Sequence, residues 1–175
     1  MRWIWIDRFQ EFRSGKFARA VKNLTLAEEH LHDLIPGYPV MPASLILEGL
    51  APTGGILVGE AKGFSERVIL AKAPRVDFHG LARPGDQLIY EASVLDLRDE
   101  GASVLARAYR DGQPLAEAEI VFAFVNRDKA AAAGSEEENF VFTHRLLGML
   151  NLEEAKRATA AADAAAAPAL TPAPE

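Results

Sequence analysis

The chain has 175 residues, 49% of them apolar, a formal net charge of −6 and no cysteine. That is enough apolar material for one domain core with a tail, and it makes no case for a second domain. A disulfide framework and thiol catalysis are excluded, and an acidic balance without any Lys/Arg run argues against nucleic acid as a partner, because phosphate neutralisation needs clustered positive charge.

The opening MRWIWIDRFQ lacks a long apolar core and a small-residue cleavage site, so a secretory signal is not expected and the cytoplasm is the expected location. Residues 3–12 alternate loosely, Ser14-Gly15 supplies a turn, and residues 17–24 complete a predicted hairpin. TLAEEHLHD (25–33) lacks strand character. It suits one helical turn, with Thr25 as cap and Glu28 at capping-box spacing.

The stretch from His30 to Glu60 is a Pro-rich loop feeding a helix. Pro36, Pro39 and Pro42 fix an extended path, and Pro42 suits a first helical position. From Pro42 to Gly59 the only ionisable side chain is Glu48, set among Leu45, Leu47, Leu50 and Ala51. Burial there would strip water from its carboxylate, raise its pKa and suit it to acid or base work; a satisfied structural carboxyl is the plainer alternative. The apolar run is long enough to raise the question of a membrane span. Its central Glu, its Pro and its glycines, with strand-like sequence on both sides, favour a buried helix of a soluble domain instead. Glu48, Pro52, Gly55 and Gly59 fall on one stripe, where small residues let a sheet or partner approach closely. Pro52 predicts a kink or break one turn beyond the acid, since an interior proline costs about 3 kcal/mol.

Past Gly63 the pattern becomes strand-like. VILAKAPRVDF, DQLIYEASVLDL, ASVLARAYR and PLAEAEIVFAFV are separated by ARPGD, RDEG and RDGQ, and Asp111-Gly112 is the best hairpin turn. With the first hairpin this predicts an α+β domain over residues 1–127, an antiparallel sheet of about six strands around one long helix. Residues 128–139 read as a low-complexity linker, 140–158 as a short strand and helix, and 159–175 as a disordered Ala/Pro-rich tail.

Metal and nucleotide sites are not expected. His30, His32 and Asp33 are local, with no spaced partner motif of the kind that builds a zinc site, and no Gly-rich phosphate loop follows a strand. His30 and His32 read as solvated loop residues, His79 as a strand-end residue beside a turn, and His144 as a surface residue.

The run PGYPVMPASLILEGLA resembles the loop-and-helix signature of the 3-hydroxyacyl-acyl-carrier-protein dehydratases, hot-dog-fold enzymes of fatty-acid elongation, in which His-Phe-Pro-Gly-x-Pro-Val-Met-Pro-Gly precedes an acidic helix residue. The likeness extends back to WIDRFQEFRSGKFARAVKNLT and forward to PGDQLIYEASV, covering residues from about 3 to about 126. It implies a hot-dog fold, a homodimer or higher homo-oligomer whose acyl tunnels are walled by both subunits, an acyl-carrier protein or acyl thioester as partner, and no cofactor.

The chain departs from that signature at the reacting positions. The catalytic His falls on Leu34, the Phe on Ile35, the helix-start Gly on Ala43, and a helix Gln on Pro52. Dehydration of a 3-hydroxyacyl thioester needs a base for the α-proton, an acid for the departing hydroxyl and donors for the thioester oxygen. Carried over by position, the resemblance leaves Glu48 as the acid and the Ala43 amide as oxyanion donor, aided by the helix dipole. It leaves no base. His32, two residues from Leu34, would be displaced by about 6 to 7 Å in an extended segment and substitutes only if the loop shifts register. Leu34, Ile35, Pro36, Gly37, Pro42, Leu45 and Pro52 would border the tunnel. Lys72, Arg75 and Arg83 would meet an acidic carrier. Three readings stay open at this point: a dehydratase, a non-catalytic acyl-thioester-binding subunit pairing with an active homologue, and a hot-dog thioesterase using Glu48.

Overall fold

Two tight turns set the pairing of the strands. Gly15, at φ +62°, closes the hairpin between β1 (Arg8–Arg13) and β2 (Phe17–Asn23), and Arg13 faces Phe17 across it. Asp111 and Gly112, at φ 51° and 74°, supply the two positive angles that a twisted two-residue hairpin turn requires, joining β5 (Gly101–Arg110) to β6 (Gln113–Val125). The remaining elements are α1 (His30–Asp33), α2 (Ala43–Ala61), β3 (Arg67–Phe78), β4 (Gln87–Leu97), α3 (His144–Met149) and α4 (Leu152–Ala166). This computed structural model describes residues 5–33, 35–125 and 144–166.

The strands form one antiparallel sheet in the order β1-β2-β4-β5-β6-β3, and α2 packs against β2 to β6 on its inner face. Alternation is cleanest on β5, where Ala102, Val104, Ala106 and Ala108 point inward and are buried. Small inward residues let the helix lie close. The helix contributes glycines for the same reason: a Cβ at Gly54 would come within 3.2 Å of Phe122 and Val104, and one at Gly55 within 3.3 Å of Phe122. At Gly49 the approach is closer still, since a Cβ would stand 2.4 Å from Tyr90 Cζ. Tyr90, Phe9, Phe12, Leu50, Ile56 and Leu57 form the fully buried centre.

Helix α2 is continuous from Ala43 to Ala61, so of the kink or break expected at Pro52, the break does not occur. Packing along the whole sheet holds the helix on both sides of the proline, and the Thr53 hydroxyl donates to the Gly49 carbonyl at 2.9 Å. The predicted turn at Thr25 forms in modified shape. The Thr25 hydroxyl accepts from Ala27 N, and the Glu28 carboxylate reaches back to Thr25 N at 3.4 Å.

The C-terminal segment docks along β1. Phe9 N donates to Leu150 O at 2.8 Å, Phe12 N donates to the Thr159 hydroxyl at 3.0 Å, and Leu146, Leu147, Leu150, Leu152 and Ala155 join the core. Helix α4 therefore runs to Ala166, where a disordered tail was expected from 159. Its Ala-rich composition is helix-forming, and Thr159 and Asp163 both bind β1, which composition does not reveal. The expected linker at 128–139, the strand from 140 and the tail beyond 166 lie outside the described residues.

Candidate functional site

The loop ahead of α2 is held by its backbone and by one aromatic pair. Tyr38 N donates to Ile35 O at 3.0 Å, and Met41 N donates to Ala82 O at 2.8 Å, fastening the loop to the turn before β4. The Arg83 guanidinium lies over the Tyr38 ring, 4.6 Å from its centroid, and donates to the Tyr38 hydroxyl. Pro42, at φ −55° and ψ 137°, is the residue before the first helical one, and its carbonyl accepts from Leu45 N and Ile46 N. The amides that begin at Ala43 belong to the helix start, where N–H groups have no intrahelical acceptor and the dipole favours negative charge.

Glu48 stands five residues further along, a rise of about 7.5 Å up the helix. Its side chain is exposed in the single chain, which corrects the expectation of a desolvated carboxylate. The side of α2 that meets the sheet carries Ile46, Gly49, Leu50 and Thr53, all buried; Ser44 and Glu48 face the other way. Leu45, Ala51, Pro42 and Pro52 flank Glu48 half-buried, while Ile35, Pro36 and Gly37 are exposed. The residues expected to border a tunnel thus frame an open face. Leu34 lies outside the described residues.

Both upstream histidines make contacts close to their own segment or to the N-terminal stretch. The exposed ring of His32 has Nε2 2.6 Å from Leu26 O. His30 corrects its expected solvation: its side chain is 9% exposed and its ring packs edge-on against Trp5. His79 is exposed at the end of β3, and the His144 side chain is outside the described residues. Among the described residues no group of His, Asp and Glu has metal-binding geometry, and no helix is long and apolar enough to cross a membrane.

The expected basic residues are placed separately. Lys72 is exposed on β3. Arg75 pairs with Asp77 at 2.9 Å and with Glu117, and Arg83 is engaged by Tyr38. Arg107 and, more weakly, Arg75 hold the Glu117 carboxyl below the usual range.

Two features were not anticipated from sequence. The first is a polar cluster running from the covered Lys22 and Glu28 side chains out to the exposed Asp7. Lys22 Nζ bridges Glu28 at 3.0 Å and Asp7 at 3.4 Å, with the Tyr90 hydroxyl, which has no hydrogen-bond partner among the described residues, close enough for Asp7 and Glu28 to reinforce burial in raising its pKa. The Thr25–Glu28 spacing is the only sequence signal that touches it. The second is a half-open depression of about 520 Å³ at the far end of α2, lined by residues that include Glu60, Phe64, Leu147, Leu152 and Lys156. It lies about 18 Å along the helix from Glu48 and belongs to the junction with the C-terminal helices.

The sheet, the helix lying across it and the loop that leads into that helix match a family model described as FabA-like domain over residues 3–123. The chain belongs to the FabA-like family. Among its relatives is a 3-hydroxyacyl-[acyl-carrier-protein] dehydratase FabZ from Caldicellulosiruptor saccharolyticus, 34% identical over 119 residues, which are 67% of this chain and 85% of that protein. The FabZ of Desulforamulus reducens is 36% identical over 119 residues, 67% of this chain and 84% of that one. Among solved structures, the dehydratase heterocomplex ApeI:P from Xenorhabdus doucetiae superposes with a TM-score of 0.62 at 13% identity, covering 76% of this chain and 90% of that one, a likeness of fold. The hot-dog arrangement expected from the sequence is the one found.

Proposed function

We propose that this chain handles 3-hydroxyacyl thioesters of fatty-acid synthesis, with Glu48 as the acid for hydroxyl departure and the Ala43 amide as a donor to the thioester oxygen. The observation that carries the reading is the loop-and-helix unit itself. Tied to Ala82 and Tyr38–Arg83, the loop delivers a free helix N-terminus about one and a half turns below Glu48, the one ionisable side chain between Pro42 and Gly59. Exposure of that face in the single chain, and of Ile69, Leu70 and Phe78 on the outer strand β3, supports a dimer that covers both and walls the acyl tunnel. Lys72 would meet the acidic carrier; Arg75 and Arg83 already have partners within the chain.

The base is the weak point, and one observation favours a second reading. With Leu at 34, and with His30 and His32 turned to Trp5 and Leu26 O, neither histidine upstream of the loop is committed to the reaction. In that reading it binds acyl thioester as a non-catalytic subunit beside an active homologue. Loss of a general base costs roughly 10²-fold to 10⁴-fold in rate.

A direct assay of purified protein with a 3-hydroxyacyl thioester, alongside Leu34→His/Pro52→Gln, separates these readings. Activity confined to the double variant supports the subunit without a base. Native activity that His32→Ala removes restores the dehydratase with a displaced base. Release of free acid, abolished by Glu48→Gln, identifies a thioesterase and overturns both.

A further inference from the structure

His30 is left out of the chemistry above, yet its ring is enclosed by residues from three parts of the chain. Its ring meets the Trp5 ring edge-on, centroids 4.9 Å apart and planes at 78°. Nε2 is buried without a hydrogen-bond partner among the described residues and lies 3.5 Å from Glu28 Oε2. The other Glu28 oxygen accepts from Lys22 Nζ at 3.0 Å, and Lys22 in turn reaches Asp7. Asp7 is fixed by Asn23, whose backbone and side-chain N–H groups both donate to its second oxygen. His30 also opens α1, the short helix that delivers the chain to the Ile35–Met41 loop.

We infer that the contact of His30 with Trp5 and Glu28 is an acid-operated latch: a neutral ring holds α1 against the domain, and a protonated ring releases α1 and loosens the loop ahead of α2.

The sign follows from the neighbours. Burial is the main cause that lowers the His30 pKa; Lys22, on β2, acts in the same direction, and Glu28 on its own segment opposes them. Asp7, ahead of β1, and the Tyr90 phenol, on β4, complete the groups around the cluster, and the phenol stays neutral because burial raises its pKa. The docked ring therefore resists a proton that the undocked, hydrated ring accepts near its ordinary value of about 6.5. Docking is undisturbed above that value and weakens as pH falls through it. The latch is independent of the dehydratase reading, because it acts on the loop whatever the loop serves.

The test follows Trp5 emission and amide hydrogen exchange over residues 30–41 between pH 8 and pH 5, in a Trp3→Phe background that isolates the indole. The expected result is a red shift in emission and, once exchange rates are corrected for their intrinsic pH dependence, about tenfold lower amide protection across 30–41 as pH drops below 6.5. Both changes should be absent in His30→Phe, which keeps an aromatic edge against Trp5, and retained in His32→Ala. An acid transition that survives in His30→Phe overturns the inference. Should His30→Phe fail to fold, imidazole NMR of the Trp3→Phe protein decides: protonation of His30 with no change in exchange at 30–41 overturns the latch, and coincident transitions uphold it.

Discussion

The two rims of the sheet are finished in opposite ways. At the β1 rim the outward amides of Phe9 and Phe12 are taken by Leu150 O and by the Thr159 hydroxyl, and five apolar side chains of the C-terminal helices complete the core. At the β3 rim a strand running from Arg67 to Phe78 packs Val68 and Val76 on the core yet is exposed along much of its length, interrupted by register shifts around Lys72 and by Pro74, with Ile69, Leu70 and Phe78 each more than 40% exposed. An exposed strand edge is a template for pairing, so the uncovered β3 rim is where the proposed association would fall. The bulge and proline blunt that rim against indiscriminate pairing while its apolar side chains stay available.

The largest test of this contrast is removal of the covered rim's own lid. Ending the chain before α3 strips the packing of Leu146, Leu147, Leu150 and Leu152, each worth about 1.5 kcal/mol or more. A loss of about 6 kcal/mol is expected in denaturant unfolding, with aggregation seen by light scattering. Unchanged stability would show that the β1 rim needs no cover.

Next is Leu70→Asp on the open rim. Leu70 is 45% exposed, so the isolated chain should keep its stability within about 0.5 kcal/mol. The dimer proposed above, which would meet the change twice, should weaken about a hundredfold in sedimentation equilibrium. Equal self-association of both proteins would remove β3 from the interface.

A smaller effect is expected at a single bond. Thr159→Val keeps shape and deletes the acceptor of Phe12 N, leaving a buried donor unsatisfied at a cost of about 1 to 2 kcal/mol by thermal unfolding.

The smallest concerns the exposed Arg13–Asp163 pair, bonded at 2.7 and 3.0 Å. The guanidinium holds the Asp163 carboxyl below its usual range, so what the pair contributes is present above about pH 4 and lost as pH falls through the depressed value. Asp163→Asn should flatten that acid limb slightly and leave stability at pH 7 almost unchanged, because exposed pairs are weak.

The strands were legible because their turns are chemically explicit. The four segments after Gly63 match β3 to β6 within one residue at each end, and Asp111-Gly112 adopts the positive angles its composition demands. The helix was legible in extent and misleading in orientation. Its apolar residues lie all round, so no stripe announces which side meets the sheet. The glycines carry that information in an inverse form: Gly49, Gly54 and Gly55 mark the buried side because Tyr90 and Phe122 fill the space they leave, and Glu48 among leucines turns outward. The position of Glu48 and Ala43 could be read from the loop motif, but exposure is a property of packing. His30 was hidden for a related reason, since HLHD has the composition of a wet loop and the ring's partner, Trp5, stands 25 residues earlier.

The fit between Gly49 and Tyr90 also constrains how this lineage can change. A methyl group at 49 would overlap the phenol ring, whose strand is hydrogen-bonded on both flanks and has nowhere to retreat. A smaller side chain at 90 must therefore arise before any larger one at 49, and the reverse order passes through a protein that cannot close its core.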